Sequence, residues 1–181
     1  AAGDLERLAG GEHHHGDGDE AASLRHVLEP GLGVRGGEVH AADAGVGYVT
    51  GSNRFWKAMA LAGLSTGDRD PFHLLRHDRI GMTDLVKRAT ARADELAASE
   101  YREGVDRLDA LCDWLRPAAV AVVGLAGWRA AVDRKAVVGW QDRNLGPSPV
   151  YVLPSTSGLN AGTSLGQLVD HLREAAHPDA S

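Results

Sequence analysis

The side chains best suited to chemistry lie in a loop near the end of the chain, at 154–160 (PSTSGLN). This loop follows an apolar run at 149–154 (PVYVLP), which is typical of a buried strand cut off by proline. In α/β proteins the binding site lies in loops at the carboxyl ends of the strands. The hydroxyl and amide groups of this loop therefore indicate a functional site.

Two other groups of reactive side chains have simpler interpretations. His13, His14 and His15 could hold a metal ion loosely, but adjacent histidines in a coil are not a fixed ligand set, which favours a solvated run. Cys112 is the one cysteine, and no Cys/His pattern has zinc-finger spacing. We therefore expect a reducing compartment, no disulfide and no structural zinc.

Length and composition predict one ordinary globular domain. The chain has 181 residues, of which 43% are hydrophobic and 24% are charged, and these values exclude a collagen, a coiled-coil rod and a wholly disordered chain. No stretch approaches the roughly 18 to 20 apolar residues of a membrane span, and the first residues lack the apolar core of a secretory signal. We therefore expect a soluble intracellular protein.

The formal charge of −6 taken alone argues against nucleic-acid binding, but the excess acid is unevenly distributed. Residues 1–20 carry six acids against one base, which leaves 19 acids and 18 bases in the rest of the chain. A local basic face therefore stays compatible with the sequence. The same composition predicts a flexible tail over 1–23, one domain over 24–176 and a short tail over 177–181.

Periodicity predicts alternating helices and strands. Helices are expected at 55–64 with Asn53 as N-cap, from Pro71, at 99–115, at 125–132 and from the capping box at Ser164. Continuous apolar runs at 118–124 and 149–154 are typical of strands buried on both faces of a parallel sheet. This order predicts a three-layer α/β/α sandwich with a short, mainly parallel central sheet.

Three segments together resemble the mismatch-specific uracil-DNA and thymine-DNA glycosylase family. They are 51–57 (GSNRFWK), 81–96 (GMTDLVKRAT followed by ADEL) and 153–160 (LPSTSGLN), in the family's order and at about its spacing. The resemblance covers roughly residues 41–176. It implies a uracil-DNA glycosylase-like fold and a monofunctional enzyme that flips out uracil or thymine mispaired with guanine and hydrolyses its N-glycosidic bond. It also implies double-stranded DNA as partner, a monomer, no metal, no organic cofactor, and a cytoplasmic location that is nucleoid-associated if the protein is bacterial.

The resemblance also implies roles for particular residues. Leu159 would be the wedge that fills the vacated base stack, and backbone groups of its neighbours Ser157, Gly158 and Asn160 would read the widowed guanine. The base pocket would contain Tyr48, Asn53 and Ser155. Phosphate contacts could come from the basic residues nearby: Lys87 and Arg88, and also Arg54, Lys57 and Arg92.

Each role has a plainer alternative. The loop around Leu159 is otherwise an ordinary β-to-α turn with a buried leucine. In the alternative interpretation, Tyr48 is a core aromatic and Asn53 is only a helix cap. The basic residues are then part of a solvated helix face.

The sequence departs from the family at its first catalytic motif. There the family has a buried strand that runs into an asparagine, whose amide positions the attacking water without needing to ionise. That asparagine position maps onto Gly36, within 33–40 (GVRGGEVH), which contains neither Asn nor Pro. The flanks, 27–32 and 41–47, still resemble the family, but the chain between them is about four residues short. We therefore expect the first strand to be missing. Its loss would leave backbone hydrogen-bonding groups of a neighbouring strand unpaired or exposed to water.

Three explanations for this departure stay open. The chain could be a catalytically weak relative, the product of a local deletion or frameshift, or an active variant in which Glu38, His40 or Asp43 activates water. On the basis of the resemblance, the leading hypothesis is a mismatch-specific DNA glycosylase. The alternatives are a catalytically impaired DNA- or lesion-binding relative and an α/β domain with no role on DNA.

Overall fold

A computed structural model of the protein describes residues 26–29, 47–48, 51–87 and 96–178. In these ranges the chain forms five strands and five helices. The strands are β1 (His26–Glu29), β2 (Ile80–Met82), β3 (Ala119–Val123), β4 (Gly139–Trp140) and β5 (Val150–Leu153). The helices are α1 (Phe55–Ala62), α2 (Pro71–Arg76), α3 (Ala98–Leu115), α4 (Leu125–Ala131) and α5 (Leu165–Ala175).

The strands form one mixed sheet in the order β2-β1-β3-β5-β4. The first four are parallel, with Leu28 opposite both Met82 and Ala121, and Val122 opposite Val152. Only β4 is antiparallel, along the free side of β5. The loops after β2, β1, β3 and β5 therefore leave the same edge of the sheet.

Helices cover both faces of this sheet. Every residue of β3 and β5 is buried. On one face Ala121, Val123, Tyr151 and Leu153 pack with residues of α1, α2 and α5. On the other face Val120, Val122, Val150 and Val152 pack with α3 and α4. The three-layer α/β/α sandwich is thereby confirmed.

The expectation that the first strand is missing is wrong. Strand β1 occupies the position between β2 and β3, and its backbone pairs with both neighbours. It comes from 26–29, which overlaps the flank at 27–32, and it precedes the shortened stretch at 33–40. Four residues are enough to pair the backbone groups that β2 and β3 present to each other across this gap.

The helix predictions are largely confirmed, with small shifts at the ends. Helix α1 ends at Ala62, two residues before the predicted end, because Gly63 adopts the left-handed conformation (φ 78°) typical of a C-cap glycine. Asp70 caps α2 ahead of Pro71, and the Ser164–Gln167 capping box opens α5. The sequence did not predict β2 or β4, because strands of three and two residues are too short to show a period.

Among the described helices, none combines the length and apolar character needed to cross a membrane.

Cys112 should be inert towards thiol reagents in the folded protein. It lies on the buried face of α3, where burial, reinforced by the nearby carboxylates of Asp109 and Asp113, raises its pKa to about 11. Because the thiolate is the nucleophile, we expect almost no labelling by Ellman's reagent at pH 8, and one equivalent after unfolding in urea. Rapid labelling without denaturant would show that the thiol is accessible and ionised.

Candidate functional site

The loop between β5 and α5 leaves the carboxyl edge of the sheet and exposes one large apolar side chain. Pro154 and Thr156 are buried at the base of the loop, whereas Leu159 is 78% exposed. The Asn160 N–H donates to the Ser157 carbonyl at 3.0 Å and closes a tight turn around the tip. The alternative of an ordinary turn with a buried leucine therefore does not describe this loop.

Two serine hydroxyls shape the turn. Ser155 Oγ accepts a hydrogen bond from the Ser157 N–H, and Ser157 Oγ accepts one from the Leu159 N–H, each at 3.3 Å. These are the local side-chain-to-backbone bonds that serine makes in turns. Ser155 is half-buried and its O–H can still donate, so it stays a candidate for binding a base.

Asn160 has a structural task inside the loop. Its Nδ2 donates to the Ser155 carbonyl at 2.9 Å and to Thr163 Oγ1 at 3.3 Å, and its Oδ1 accepts from the Gly162 N–H at 3.2 Å. An amide engaged in this way supports the loop, and these bonds would have to break before the side chain could read a guanine. Of the four residues predicted to form the wedge and to read the mismatch, Gly158 and Leu159 are the exposed ones.

Arg54 connects the start of α1 to this loop. Its guanidinium donates to three loop carbonyls: Nη1 to Thr163 at 2.5 Å, and Nη2 to Ser157 and to Asn160 at 3.0 Å each. Its backbone N–H donates to the Thr156 carbonyl at 3.0 Å. The sequence suggested that Arg54 could contact phosphate or lie on a solvated helix face, but the structure gives it four hydrogen bonds to protein backbone. Sequence reasoning missed this role, because no local pattern reveals a partner so distant in the chain.

A close approach of two backbones completes the junction. A Cβ added to Gly158 would lie 2.6 Å from the Ser52 carbonyl oxygen and 2.8 Å from the Ser52 Cβ. No L side chain fits there without a shift of the loop or of the segment before α1. The tip of the loop and the 51–54 segment are therefore in direct contact.

Tyr48 lies beside the same segment. Its ring stacks on Phe55, with centroids 4.2 Å apart and an interplanar angle of 24°. The backbone just before it is anchored by Trp56 Nε1, which donates to the Gly47 carbonyl at 2.9 Å. Tyr48 is half-buried and packs against the core on one side, so the structure supports its role as a core aromatic. Its role as a surface for a flipped base stays a prediction.

Asn53 also has a structural role. Its Oδ1 accepts a hydrogen bond from the Phe55 N–H at 2.9 Å, but the N-cap of α1 is Arg54, one residue later than predicted. The side chain is half-buried, and its Nδ2 retains its capacity to donate. Asn53 thus supports the entry to α1 and stays a candidate for the base pocket.

The predicted phosphate contacts lie partly outside the described residues. Lys87 follows β2 and is exposed; its Nζ donates to Thr83 Oγ1 at 3.0 Å and lies 3.7 Å from Asp84 Oδ2. An ion pair this exposed is weak, so it leaves the ammonium able to bind a phosphate. The strand order separates the ends of β2 and β5 by three strand spacings, or about 14 Å. Lys57 is exposed on α1.

Of the other residues implicated by the sequence, Gly36, Glu38, His40, Asp43, Arg88, Arg92 and His13–His15 lie outside the described ranges. In the part of the chain that is described, no three His, Cys, Asp or Glu side chains come together as a metal site would require.

A polar network that the sequence analysis missed fixes the base of the loop. Tyr151 on β5 bonds to two residues of α5 through its hydroxyl, to His171 Nδ1 at 2.7 Å and to Glu174 Oε2 at 2.8 Å. Burial raises the pKa of Tyr151 well above its ordinary value, and the hydrogen bond and charge of Glu174 raise it further. The phenol therefore stays protonated near neutral pH and links the two elements that flank the loop.

In a comparison with protein families, residues 33–177 match the family model described as the uracil DNA glycosylase superfamily. The match covers most of the chain. It includes the loop with Leu159, the segment before α1 and the shortened stretch around Gly36, and it begins after β1.

Proposed function

The chain belongs to the uracil DNA glycosylase superfamily, whose members are DNA glycosylases, and from this premise we propose that it acts on uracil or thymine mispaired with guanine. The observation that carries the proposal is the exposed Leu159 at the tip of a braced loop on the carboxyl edge of the sheet. A leucine exposed at the tip of a loop held by these hydrogen bonds is placed to enter an apolar surface of a partner. The stack vacated by a flipped base is such a surface.

The described residues suggest how the work is divided. Extruding a base costs a few kcal/mol, least for a mismatched base, and Leu159 offsets part of this cost by filling the gap. Tyr48 offers an aromatic face to the flipped pyrimidine, and Asn53 and Ser155 offer hydrogen-bond donors to its edge. Lys87, which follows β2, offers a positive charge to the phosphate backbone.

The chemical step is hydrolysis of the N-glycosidic bond. The bond between C1′ of the sugar and the base nitrogen breaks, the water oxygen bonds to C1′, and the base leaves with a proton on that nitrogen. In the mismatch-specific glycosylases that this sequence resembles, an asparagine at the position of Gly36 holds this water. Glycine supplies no such amide, which favours a second candidate, a relative that binds DNA lesions but excises them slowly or not at all.

One assay separates these functions. Duplexes carrying a single G·U or G·T mismatch, with a fully paired duplex as control, are incubated with the protein and then treated with alkali. Strand cleavage only after alkali would support a monofunctional glycosylase. Salt-sensitive, mismatch-preferring binding without an abasic product would support the binder. If the protein shows no excision and no preferential binding, this result would contradict the proposed role on mismatched DNA.

Restoring the missing amide should raise activity. We expect Gly36→Asn to increase single-turnover excision of uracil from G·U by about 10-fold or more, since a positioned hydrogen-bonding group contributes on that scale. Gly37→Asn adds the same side chain one position away and serves as the control. If neither variant excises faster than the unmodified protein, the backbone at position 36 does not follow the family's path.

A further inference from the structure

The hydrogen bonds of Arg54 surround the tip of the loop symmetrically. Its Nη2 binds the carbonyls of Ser157 and Asn160, the residues on either side of Gly158 and Leu159. Its Nη1 and its backbone N–H bind Thr163 and Thr156, farther out on the two arms of the loop. One residue thus holds both arms and closes the segment that carries Leu159.

The Arg54 guanidinium binds backbone carbonyls of the loop rather than a carboxylate. Among the described residues, no carboxylate lies within ion-pair distance of Arg54, and the side chain is partly buried. Its charge is balanced by carbonyl dipoles, and hydrogen bonds from a charged donor are about twice as strong as neutral ones. The planar fork of arginine can reach several carbonyls at once, which the single ammonium of lysine cannot do.

Two further contacts limit the freedom of the tip. Gly158 lies so close to Ser52 that an added Cβ would be 2.6 Å from the Ser52 carbonyl oxygen, and the Asn160 amide bonds across the loop to Ser155. A loop ordered before it meets DNA loses less conformational entropy when its side chain enters the duplex.

We propose that Arg54 is a positioning residue, which through its bonds to Ser157, Asn160 and Thr163 holds Leu159 ready for insertion before DNA binds. This inference rests on the proposed function as far as insertion into DNA is concerned. The bracing of the loop itself is a property of the free protein and can be tested without DNA.

The first test measures amide hydrogen exchange in the free protein. Arg54→Lys keeps the charge but loses the fork, so we expect the Asn160 and Ala161 amides to exchange at least about 10-fold faster, the factor that corresponds to losing one charged hydrogen bond. The amides of Leu168 and Leu172 in α5 should keep their rates. Arg173→Lys is the matched control, because Arg173 also donates to a distant carbonyl, that of Leu61 at 3.0 Å, but does not contact the loop. Unchanged loop exchange in Arg54→Lys would overturn the inference.

A second variant guards against a general loss of folding. Arg54→Gln keeps two N–H donors on a neutral planar amide, and we expect it to accelerate loop exchange at least as much as Arg54→Lys. A role in global stability alone would accelerate exchange in α5 to the same extent as in the loop, and this result would also overturn the inference.

The test of function measures the single-turnover rate of uracil excision from a G·U duplex. If the chain does not excise, the test measures its binding preference for G·U over G·C duplexes. We expect Arg54→Lys to lower the rate or the preference at least about 10-fold, with Arg173→Lys unchanged. Faster loop exchange with unaltered excision and binding would overturn the positioning role. If the unmodified protein neither excises nor prefers the mismatch, the proposed function fails, while the exchange rates still decide whether Arg54 braces the loop.

Discussion

Leu159→Ala is expected to slow excision of uracil from a G·U duplex by about 10- to 100-fold. Burying a leucine side chain is worth about 1.5–3 kcal/mol, and each 1.4 kcal/mol removed from the transition state changes the rate tenfold. Alanine cannot fill the space left by a flipped base, so that stabilisation is lost. If the chain binds without excising, the same factor is expected in its preference for G·U over G·C duplexes.

The same substitution should leave the fold intact. Leu159 is 78% exposed and lies outside both core clusters, so we expect the free energy of unfolding to change by less than about 0.5 kcal/mol. Urea denaturation followed by circular dichroism measures this quantity, and single-turnover kinetics measures the other.

Leu61→Ala is a suitable control for Leu159→Ala. Leu61 is also an exposed leucine, at 52%, but it lies on α1 away from the loop, and the Arg173 bond to its backbone carbonyl does not depend on its side chain. We expect it to excise and bind as the unmodified protein does. Equal rates for Leu159→Ala and the unmodified protein would exclude Leu159 as the wedge. Equal losses in both variants would indicate a nonspecific effect of removing exposed leucines.

Gly104→Ala is expected to destabilise the protein by about 2 kcal/mol, although alanine is normally the better helix residue by about 1 kcal/mol. Gly104 lies within α3, where an added Cβ would be 2.0 Å from the backbone carbonyl oxygen of Leu85. Either the helix or the segment after β2 must move. That segment is also held by Arg107, whose guanidinium donates to the carbonyls of Asp84 and Leu85.

The control for Gly104→Ala is the same substitution in an open place. Gly166 lies in the first turn of α5, where an added Cβ would meet only Ser164 Oγ, at 3.9 Å. We therefore expect Gly166→Ala to be neutral or to stabilise the protein by up to about 1 kcal/mol in urea denaturation. If Gly104→Ala stabilised the protein as much as Gly166→Ala, α3 could not be packed against Leu85 as described.

The accuracy of the sequence predictions depended on the range of the interactions involved. The buried strands β3 and β5 were predicted because their apolar runs are continuous, and α5 because Ser164 and Gln167 cap it within one turn. Asn53 was placed one residue early as the N-cap, although its bond to the Phe55 N–H is the kind of contact that was expected. Strand β1 was wrongly expected to be absent, because its position in the sheet depends on pairing with β2 and β3 rather than on a local pattern.

In the candidate site, too, the features that depend on local sequence were predicted, and those that depend on long-range contacts were not. Residue types and order indicated the loop at 154–160, and the resemblance assigned the wedge to Leu159. The structure adds that Leu159 is exposed, that the Asn160 amide supports the loop and that Tyr48 stacks on Phe55. The roles of Tyr48, Asn53, Ser155 and Lys87 on DNA stay predictions.

The sequence by itself determined the layered α/β class, the main helices and the loop with its leucine, because these follow from the side chains of close neighbours in the chain. Only the tertiary structure decided what holds that loop. Arg54 and its carbonyl partners are more than 100 residues apart, and they meet because α1 and the end of β5 converge at one edge of the sheet. Such a contact depends on the path of the whole chain, so no local spacing encodes it.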